Sequence, residues 1–199
     1  ALPKAGGTMT GNIATKGISS VTAGSNNFVA GVNAGNSIVS GGDNNTLAGT
    51  NAGTAVTTGD FNTALGSQAL AQTNTSSQNT AIGGYAMYYN TTGGSNTAVG
   101  LQALLDNTTA SNNTAIGMNA LTNNTTGTQN TALGGSSLAA NTTANYNTGV
   151  GYNSLAANTT GIQNSGIGRY TLAQNTTGNY NVAVGGDALT ANTTASNNT

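Results

Sequence analysis

The sequence lacks most of the residues that carry chemistry in proteins. It contains no cysteine, no histidine and no tryptophan, and charged residues make up 4% of the chain, against about 25% in an ordinary globular domain. Without cysteine there is no disulfide framework and no thiolate metal site. Without histidine and cysteine, neither a Ser/His nor a Cys/His nucleophile pair can form within the chain. We therefore predict that the chain is not an enzyme and needs no cofactor.

Charge and hydropathy argue against nucleic-acid binding, membrane insertion and intrinsic disorder. The formal net charge is −1, which offers no electrostatic basis for binding nucleic acid or an anionic membrane surface. No run of about 20 apolar residues is long enough to insert into a bilayer. Disordered chains usually combine low hydrophobicity with high charge or abundant proline, and this sequence has 4% charge and one proline.

What the sequence does contain is a repeat. From Asn62 onward the pattern N-T-A-(I/L/V)-G-x-x-A-L-x-x-N-T-T-(G/A)-x-x recurs every 17 residues, and we number its positions 1 to 17. Regular repeats fill residues 62–197, the next repeat begins at 198, and degenerate copies fill residues 27–61. We interpret residues 1–26 as an N-terminal motif with a cap or connector. Because the chain starts at Ala1 and stops in mid-pattern, we expect it to be a segment of a longer protein.

A short fixed period predicts stacked units that each bury part of their neighbours. Asn, Thr and Gly are poor residues for a helix interior, so the units are expected to be strands. We predict an all-β fold, a parallel β-solenoid or β-roll in which each 17-residue repeat closes one coil with two or three short strands. Glycine at position 5 is expected to form a corner with positive φ or a close backbone approach. These corner glycines are Gly66, Gly83, Gly100, Gly117, Gly134, Gly151, Gly168 and Gly185.

Stacking explains the polar composition. In a solenoid each residue lies about 4.8 Å above its counterpart, so like charges would repel whereas asparagine amides can hydrogen-bond along the stack. We predict one asparagine ladder at position 1 and a second at position 12, with a threonine ladder at position 14. The position-12 ladder comprises Asn90, Asn107, Asn124, Asn141, Asn158, Asn175 and Asn192. The threonine ladder comprises Thr92, Thr109, Thr126, Thr143, Thr160, Thr177 and Thr194.

Two stripes of large apolar residues are expected to form the core. The first, at position 4, comprises Leu65, Ile82, Val99, Ile116, Leu133, Val150, Ile167 and Val184. The second, at position 9, comprises Leu70, Met87, Leu104, Leu121, Leu138, Leu155, Leu172 and Leu189. Two large side chains per repeat contribute roughly 1.5–3 kcal/mol each, which offsets little of the ordering entropy of about 1–2 kcal/mol per residue. We therefore expect the chain to associate with itself, as a side-by-side homotrimer and also end to end in a fibre.

Two short patterns resemble known families. Residues 1–13, ALPKAGGTMTGNI, resemble the L-P-K-x-G-G-T-M-T-G-x-I motif of bacteriophage tail fibres. The repeat N-T-A-I-G-x-x-A-L is similar to the N-x-x-A-I-G-x-x-A units in the heads of trimeric autotransporter adhesins, although its period of 17 and its N-T-T corner differ. The second resemblance implies a left-handed parallel β-roll of three chains.

Together the resemblances imply a structural shaft in a virion tail fibre or another extracellular location. Such a shaft holds a receptor-binding tip, and contact with a host-surface glycan or protein would come from parts outside this segment. The alternative is the shaft or head of an adhesive fibril on a bacterial or environmental surface. A further alternative is an ice-binding solenoid, although the adjacent threonines of the N-T-T corner do not form the T-x-T pattern that this function favours.

A few residues depart from the repeat and suggest weak sites. Asp43 and Asp60 are 17 residues apart, so we expect them to stack on adjacent coils about 5 Å apart. Such a pair is either two solvated turn residues, a weak candidate cation site or a carboxylate pair of the kind that retaining glycosidases use.

The remaining departures concern aromatic residues and the N-T-T corner. Tyr85, Tyr88 and Tyr89 cluster within one repeat. They form a sugar-binding surface, or they only cover the backbone or fill a seam between chains. Tyr152 and Arg169 share position 6 in adjacent repeats, which predicts a cation–π contact. The N-T-T corner also matches the N-glycosylation acceptor pattern.

Overall fold

The fold is a parallel β-solenoid. A computed structural model describes residues 23–199, so the motif at residues 1–13 and most of the expected cap lie outside the described range. The described residues contain ten strands of three residues each and no helix. The strands are β1 (Phe28–Ala30), β2 (Thr46–Ala48), β3 (Thr63–Leu65), β4 (Thr80–Ile82), β5 (Thr97–Val99), β6 (Thr114–Ile116), β7 (Thr131–Leu133), β8 (Thr148–Val150), β9 (Ser165–Ile167) and β10 (Val182–Val184).

The strands form one sheet in sequence order, and every neighbouring pair is parallel. Leu65 pairs with Ile82, and Ile82 pairs with Val99, so equivalent residues lie in columns along the axis. About nine coils of about 17 residues, each rising about 4.8 Å, separate β1 from β10. The predicted 17-residue coil and parallel stacking are confirmed. No helix in the described residues is long and apolar enough to cross a membrane.

Each coil contains one strand rather than the expected two or three. Positions 7 and 9 of the regular repeats have φ between 48° and 60°, which is the left-handed α region and not the β region. Backbone hydrogen bonds still join the coils there. At position 9 the Leu104 N–H donates to the Ala120 carbonyl at 3.0 Å, and at the N-T-T corner the Thr91 N–H donates to the Thr108 carbonyl at 2.9 Å. The coil is therefore hydrogen-bonded to its neighbours on several sides, although only one side has strand geometry.

The prediction that the position-4 stripe lies in the core is wrong. Leu65 is 51% exposed and Leu133 is 44% exposed, whereas Ala64 and Ala132 are fully buried. Strand side chains alternate between the two faces, so burying position 3 turns positions 2 and 4 outward. We call the position-4 side chains the outer aliphatic column. It comprises Leu65, Ile82, Val99, Ile116, Leu133, Val150, Ile167 and Val184.

The position-9 stripe lies in the core as predicted, except at the end. Its members from Leu70 to Leu172 are fully buried, whereas Leu189, in the last described coil, is 37% exposed. A left-handed φ at a non-glycine residue costs roughly 1–2 kcal/mol. Full burial of a leucine contributes about 1.5–3 kcal/mol and offsets that cost. Position 9 therefore combines strained backbone with the largest buried side chain of each coil.

The two sides of the core compensate each other in size. In the degenerate coil, Leu47 at position 3 faces Gly53 at position 9, and a Cβ on Gly53 would lie 2.8 Å from the Leu47 side chain. In the regular coils this arrangement is reversed, with alanine or glycine at position 3 and leucine or methionine at position 9.

A smaller change of the same kind occurs further along the chain. Ser137 replaces alanine at position 8, glycine replaces alanine at position 3 of the next coil, and the Ser137 hydroxyl donates to the Gly149 carbonyl at 2.9 Å. Across positions 3 and 9 the core thus keeps room for one large side chain per coil. The degenerate coils also bury Ile38 and Val56 at position 12, where seven of the eight regular repeats have asparagine.

The corner glycines have both properties that the sequence predicted. Their φ values lie between 111° and 140°, a region that L side chains rarely adopt. A Cβ on Gly117 would lie 2.5 Å from the Gly134 carbonyl oxygen of the next coil. Each corner glycine from Gly66 to Gly168 therefore allows the backbones of successive coils to approach closely, whereas no atom lies within 4 Å of a Cβ on Gly185 in the last described coil.

We predict that Gly117→Ala lowers the free energy of unfolding by at least about 2 kcal/mol, because the new Cβ meets a backbone atom at a positive φ. Urea unfolding followed by circular dichroism measures the loss. Gly135→Ala is the matched control, since its Cβ would lie 3.4 Å from the nearest atom, Tyr152 Cδ2. The control is expected to change stability by no more than about 0.5 kcal/mol. Equal losses in the two variants would contradict the proposed role of the corner.

Candidate functional site: the ladders and the surface they support

Position 1 forms a buried asparagine ladder, which we call the first asparagine ladder. It comprises Asn62, Asn79, Asn96, Asn113, Asn130, Asn147, Asn164, Asn181 and Asn198. The backbone N–H of Asn130 donates to Oδ1 of Asn113 at 2.9 Å, and the other members repeat this bond. The side chain of each coil therefore accepts from the backbone of the next coil. This direct link between coils agrees with the prediction from the sequence.

Position 12 forms the second asparagine ladder, from Asn90 to Asn192. Nδ2 of Asn124 donates to Oδ1 of Asn107 at 3.1 Å, and Nδ2 of Asn141 donates to Oδ1 of Asn124 at 2.9 Å. The predicted ladder is thus present as an amide-to-amide chain, with its interior members fully buried. Among the described residues, no buried side-chain nitrogen or oxygen is without a hydrogen-bond partner.

The two ladders meet at one carbonyl in each coil. The Gly127 carbonyl accepts from Nδ2 of Asn113 and from Nδ2 of Asn124, both at 2.9 Å. The same pair of bonds converges on Gly93, Ala110, Ala144, Gly161, Gly178 and Ala195. This shared carbonyl closes the N-T-T corner and connects both sides of the coil.

The threonine ladder is one residue away from its predicted place. The hydroxyl at position 13, not at position 14, donates to the position-13 carbonyl of the next coil. Thr91 donates to Thr108 at 2.9 Å and Thr108 donates to Thr125 at 3.1 Å, and the series continues to Thr193. The position-14 threonines are exposed, because the tight corner turns the residue after the bonded threonine towards solvent.

Asp43 and Asp60 lie on adjacent coils as predicted, and each accepts a backbone bond. Oδ1 of Asp60 accepts from the Asp43 N–H at 2.7 Å, and Oδ1 of Asp43 accepts from the Ser25 N–H at 2.6 Å. Ser77, Ser111, Asn145, Asn179 and Ser196 make the equivalent bond in later coils. In residues 23–199, no three His, Cys, Asp or Glu side chains group together in a way that could hold a metal. The two bonds therefore give the aspartate pair the same backbone-capping role that serines and asparagines fill in later coils.

Aromatic residues make side-chain contacts at two places on the rod, one among three tyrosines and one with an arginine. The ring centroids of Tyr85 and Tyr88 are 5.6 Å apart, and those of Tyr88 and Tyr89 are 4.6 Å apart with an edge-to-face geometry. The predicted contact between Arg169 and Tyr152 is replaced by another. The Arg169 guanidinium lies 5.1 Å from the ring of its sequence neighbour Tyr170 and forms a 3.2 Å ion pair with an exposed aspartate, Asp187.

Glycosylation of the N-T-T corner conflicts with the folded structure. The acceptor atom would be Nδ2 of the position-12 asparagine. In Asn107 this atom donates to Oδ1 of Asn90 at 2.8 Å and to the Ala110 carbonyl at 3.1 Å, and the residue is fully buried. A glycan on an interior member of the ladder would therefore break the second asparagine ladder.

We predict that Asn124→Ala lowers the free energy of unfolding by at least about 2 kcal/mol, because it leaves buried polar groups in two neighbouring coils without their partners, at a cost of roughly 1–3 kcal/mol each. Thermal or urea unfolding measures the change. Asn123→Ala is the matched control, because its side chain is exposed and a change there is expected to stay within about 0.5 kcal/mol. A ladder variant as stable as the control would contradict the assigned role.

No protein-family model matches the sequence. No curated protein and no solved structure matches it either.

Proposed function

We propose that the chain is a non-enzymatic shaft segment of an extracellular fibre. The observation that carries the proposal is the outer aliphatic column, which runs along the sheet of an unbroken stack of coils. A rod with regular spacing and one apolar side is suited to lateral assembly with other rods. The tail-fibre-like pattern at residues 1–13 supports a bacteriophage tail fibre as the setting, with the shaft holding a receptor-binding tip near a host cell.

The internal bonding of the rod supports a mechanical role. Backbone hydrogen bonds join adjacent coils throughout the regular repeats, and the asparagine ladders add side-chain bonds that also run from coil to coil. Because these bonds are distributed along the whole length, no single coil is an obvious hinge. A stiff rod of this kind fixes the distance between what lies at its two ends.

We propose that the outer aliphatic column is covered by further copies of the same chain, as a side-by-side homotrimer. A partner must present groups that repeat about every 4.8 Å along the axis, to match the spacing of the column. A second copy of the chain has this spacing because its coils have the same rise. The column carries no charged residue, so in-register copies meet no like-charge repulsion there. Eight coils give a strip about 38 Å long, which needs a width of only about 20 Å to reach the roughly 800 Å² per partner of a standard interface.

An adhesive fibril on a cell surface is the alternative setting for the same rod. Its geometry would be the same, since both settings use stacked coils and lateral assembly. A membrane anchor in the parent protein would favour the fibril, and neighbouring genes for virion tail proteins would favour the phage.

One further observation favours ice binding as a second candidate function. The outward face of the sheet carries the position-2 threonines, such as Thr114 and Thr131, beside the outer aliphatic column. A flat face of regularly spaced hydroxyl and methyl groups is the surface that an ice-binding solenoid presents. Lateral assembly and ice binding would use the same face, so the association state and a thermal hysteresis assay separate the two functions.

We predict that the purified chain sediments as a trimer of its 19.3 kDa subunit, and that the double variant Ile116→Asp with Leu133→Asp sediments as a monomer, because two carboxylates would be buried in the interface. Sedimentation velocity over a wide dilution series measures both. The matched control is Thr126→Asp with Thr143→Asp, which adds the same charges to the same two coils at exposed corner positions. A wild-type chain that stays monomeric, or a control that dissociates equally, would contradict the proposed interface.

A further inference from the structure

Two variable positions of the repeat, 10 and 11, carry unusual residues in two adjacent coils. Position 10 is alanine or threonine in six of the eight repeats, but it is Tyr88 and Leu105 in the second and third. Position 11 is alanine, asparagine or glutamine in six repeats, but it is Tyr89 and Asp106 in the same two. Neither the coil geometry nor the ladders require bulky or charged residues at these positions, since other coils form without them. The concentration of exceptions in two adjacent coils therefore indicates a local role.

Two hollows flank these residues. One, of about 400 Å³, is lined by Gln72, Tyr89, Thr91, Asp106, Thr108 and Thr125. The other, of about 190 Å³, is lined by Asn51, Thr54, Gln68, Ala71, Gln72 and Tyr88. They share Gln72 as a lining residue, and we call the two adjoining hollows together the tyrosine groove. The larger hollow has the volume of an ordinary small-molecule site.

Asp106 supplies an uncommitted acceptor to this groove. No hydrogen bond or ion pair from the described residues reaches its carboxylate, although its backbone N–H donates to the Thr122 carbonyl at 2.9 Å. The side chain is partly buried, and that burial raises the pKa of Asp106 above its ordinary value of 3.8. A partly desolvated carboxylate gains from a ligand that donates hydroxyl hydrogen bonds to it.

The tyrosines supply the apolar complement. Tyr89 is 48% exposed and is held edge-to-face against Tyr88 with centroids 4.6 Å apart. Nε2 of Gln72 donates to the Tyr88 hydroxyl at 3.4 Å, which orients that ring and places an amide between the hollows. An exposed ring beside hydrogen-bonding groups suits a ligand with one apolar face and polar edges.

We propose that the tyrosine groove binds a neutral oligosaccharide on the side of the rod. The C–H face of a pyranose ring packs on Tyr89, and ring hydroxyls donate to the Asp106 carboxylate in the larger hollow. Further sugar units extend along the axis past Gln72 into the smaller hollow. The carboxylate repels sialic and uronic acids, so the groove selects neutral sugars. This function goes beyond the proposed shaft role, and it uses positions 10, 11 and 13 rather than the outer aliphatic column.

An array of immobilised neutral and acidic oligosaccharides of hexose and N-acetylhexosamine units tests the proposal with the full chain as probe. Wild-type chain is expected to bind one or more neutral glycans and no acidic one. Isothermal titration with the strongest neutral glycan is expected to show at least tenfold weaker binding for both Tyr89→Ala and Asp106→Asn. Tyr146→Ala is the matched control, because Tyr146 is equally exposed, at 53%, and lies outside the groove.

The experiments distinguish a failure of the sugar-binding proposal from a failure of the shaft proposal. Circular dichroism and sedimentation velocity are expected to be unchanged in all three variants, since none alters a ladder, a corner glycine or the outer aliphatic column. A wild-type chain that binds no glycan on the array, or only acidic glycans, overturns the proposal. Binding that survives Tyr89→Ala and Asp106→Asn also overturns it, as does a change of association state in those variants without a change in sugar binding.

Discussion

The structure depends on hydrogen bonds between buried asparagine side chains and the coil next to them. A narrow solenoid has too little apolar volume to be held by burial alone, and its buried amides are costly unless every donor and acceptor is satisfied. In the first asparagine ladder, each side chain accepts a hydrogen bond from the position-1 backbone N–H of the next coil. In the second ladder, the side-chain amides donate to one another from coil to coil. The shared carbonyl at position 15 joins the two ladders, so that each coil is a template for the next.

The remaining features follow from that close stacking. Coils this near to each other leave no space for a Cβ at the corner, which explains the glycine at position 5. Across positions 3 and 9 they also leave a core that admits one large side chain per coil, from position 9 in the regular repeats and from position 3 in the degenerate ones. The other aliphatic side chain of each repeat is then excluded from the interior, and it forms the outer aliphatic column.

Much of this fold could be predicted because a strict period reports which residues stack. The 17-residue coil, the corner glycines, both asparagine ladders and the burial of Leu121 and its equivalents follow from the pattern alone. The place of Ile116 could not be predicted in the same way. A three-residue strand has two outward positions and one inward position, and the repeat does not show which is which. The small side chain of Ala115 was the missed signal, since a narrow core takes the smaller residue on the strand side.

Position-specific contacts were also hard to predict. The pairing of Arg169 with Tyr170 depends on a left-handed backbone at position 7, which no propensity rule suggests for tyrosine. The hydrogen-bonded threonine is position 13 rather than 14 because the corner does not alternate like a strand. For the tyrosine groove, the sequence showed the cluster of Tyr85, Tyr88 and Tyr89, but it did not show that Asp106 lines the same hollow as Tyr89 with no side-chain partner among residues 23–199.

The reversal of large and small residues between Leu47/Gly53 and Ala64/Leu70 has an evolutionary consequence. Within residues 62–197, whole repeats can be gained or lost by recombination without creating a new kind of contact, so the rod can change its length in steps of about 4.8 Å. A crossover that joined half of the degenerate coil to half of a regular one would place two large side chains, or none, in the same layer. The number of repeats can therefore change within the regular region. A recombination at the boundary near residue 61 is disfavoured, because it would overfill or underfill the core.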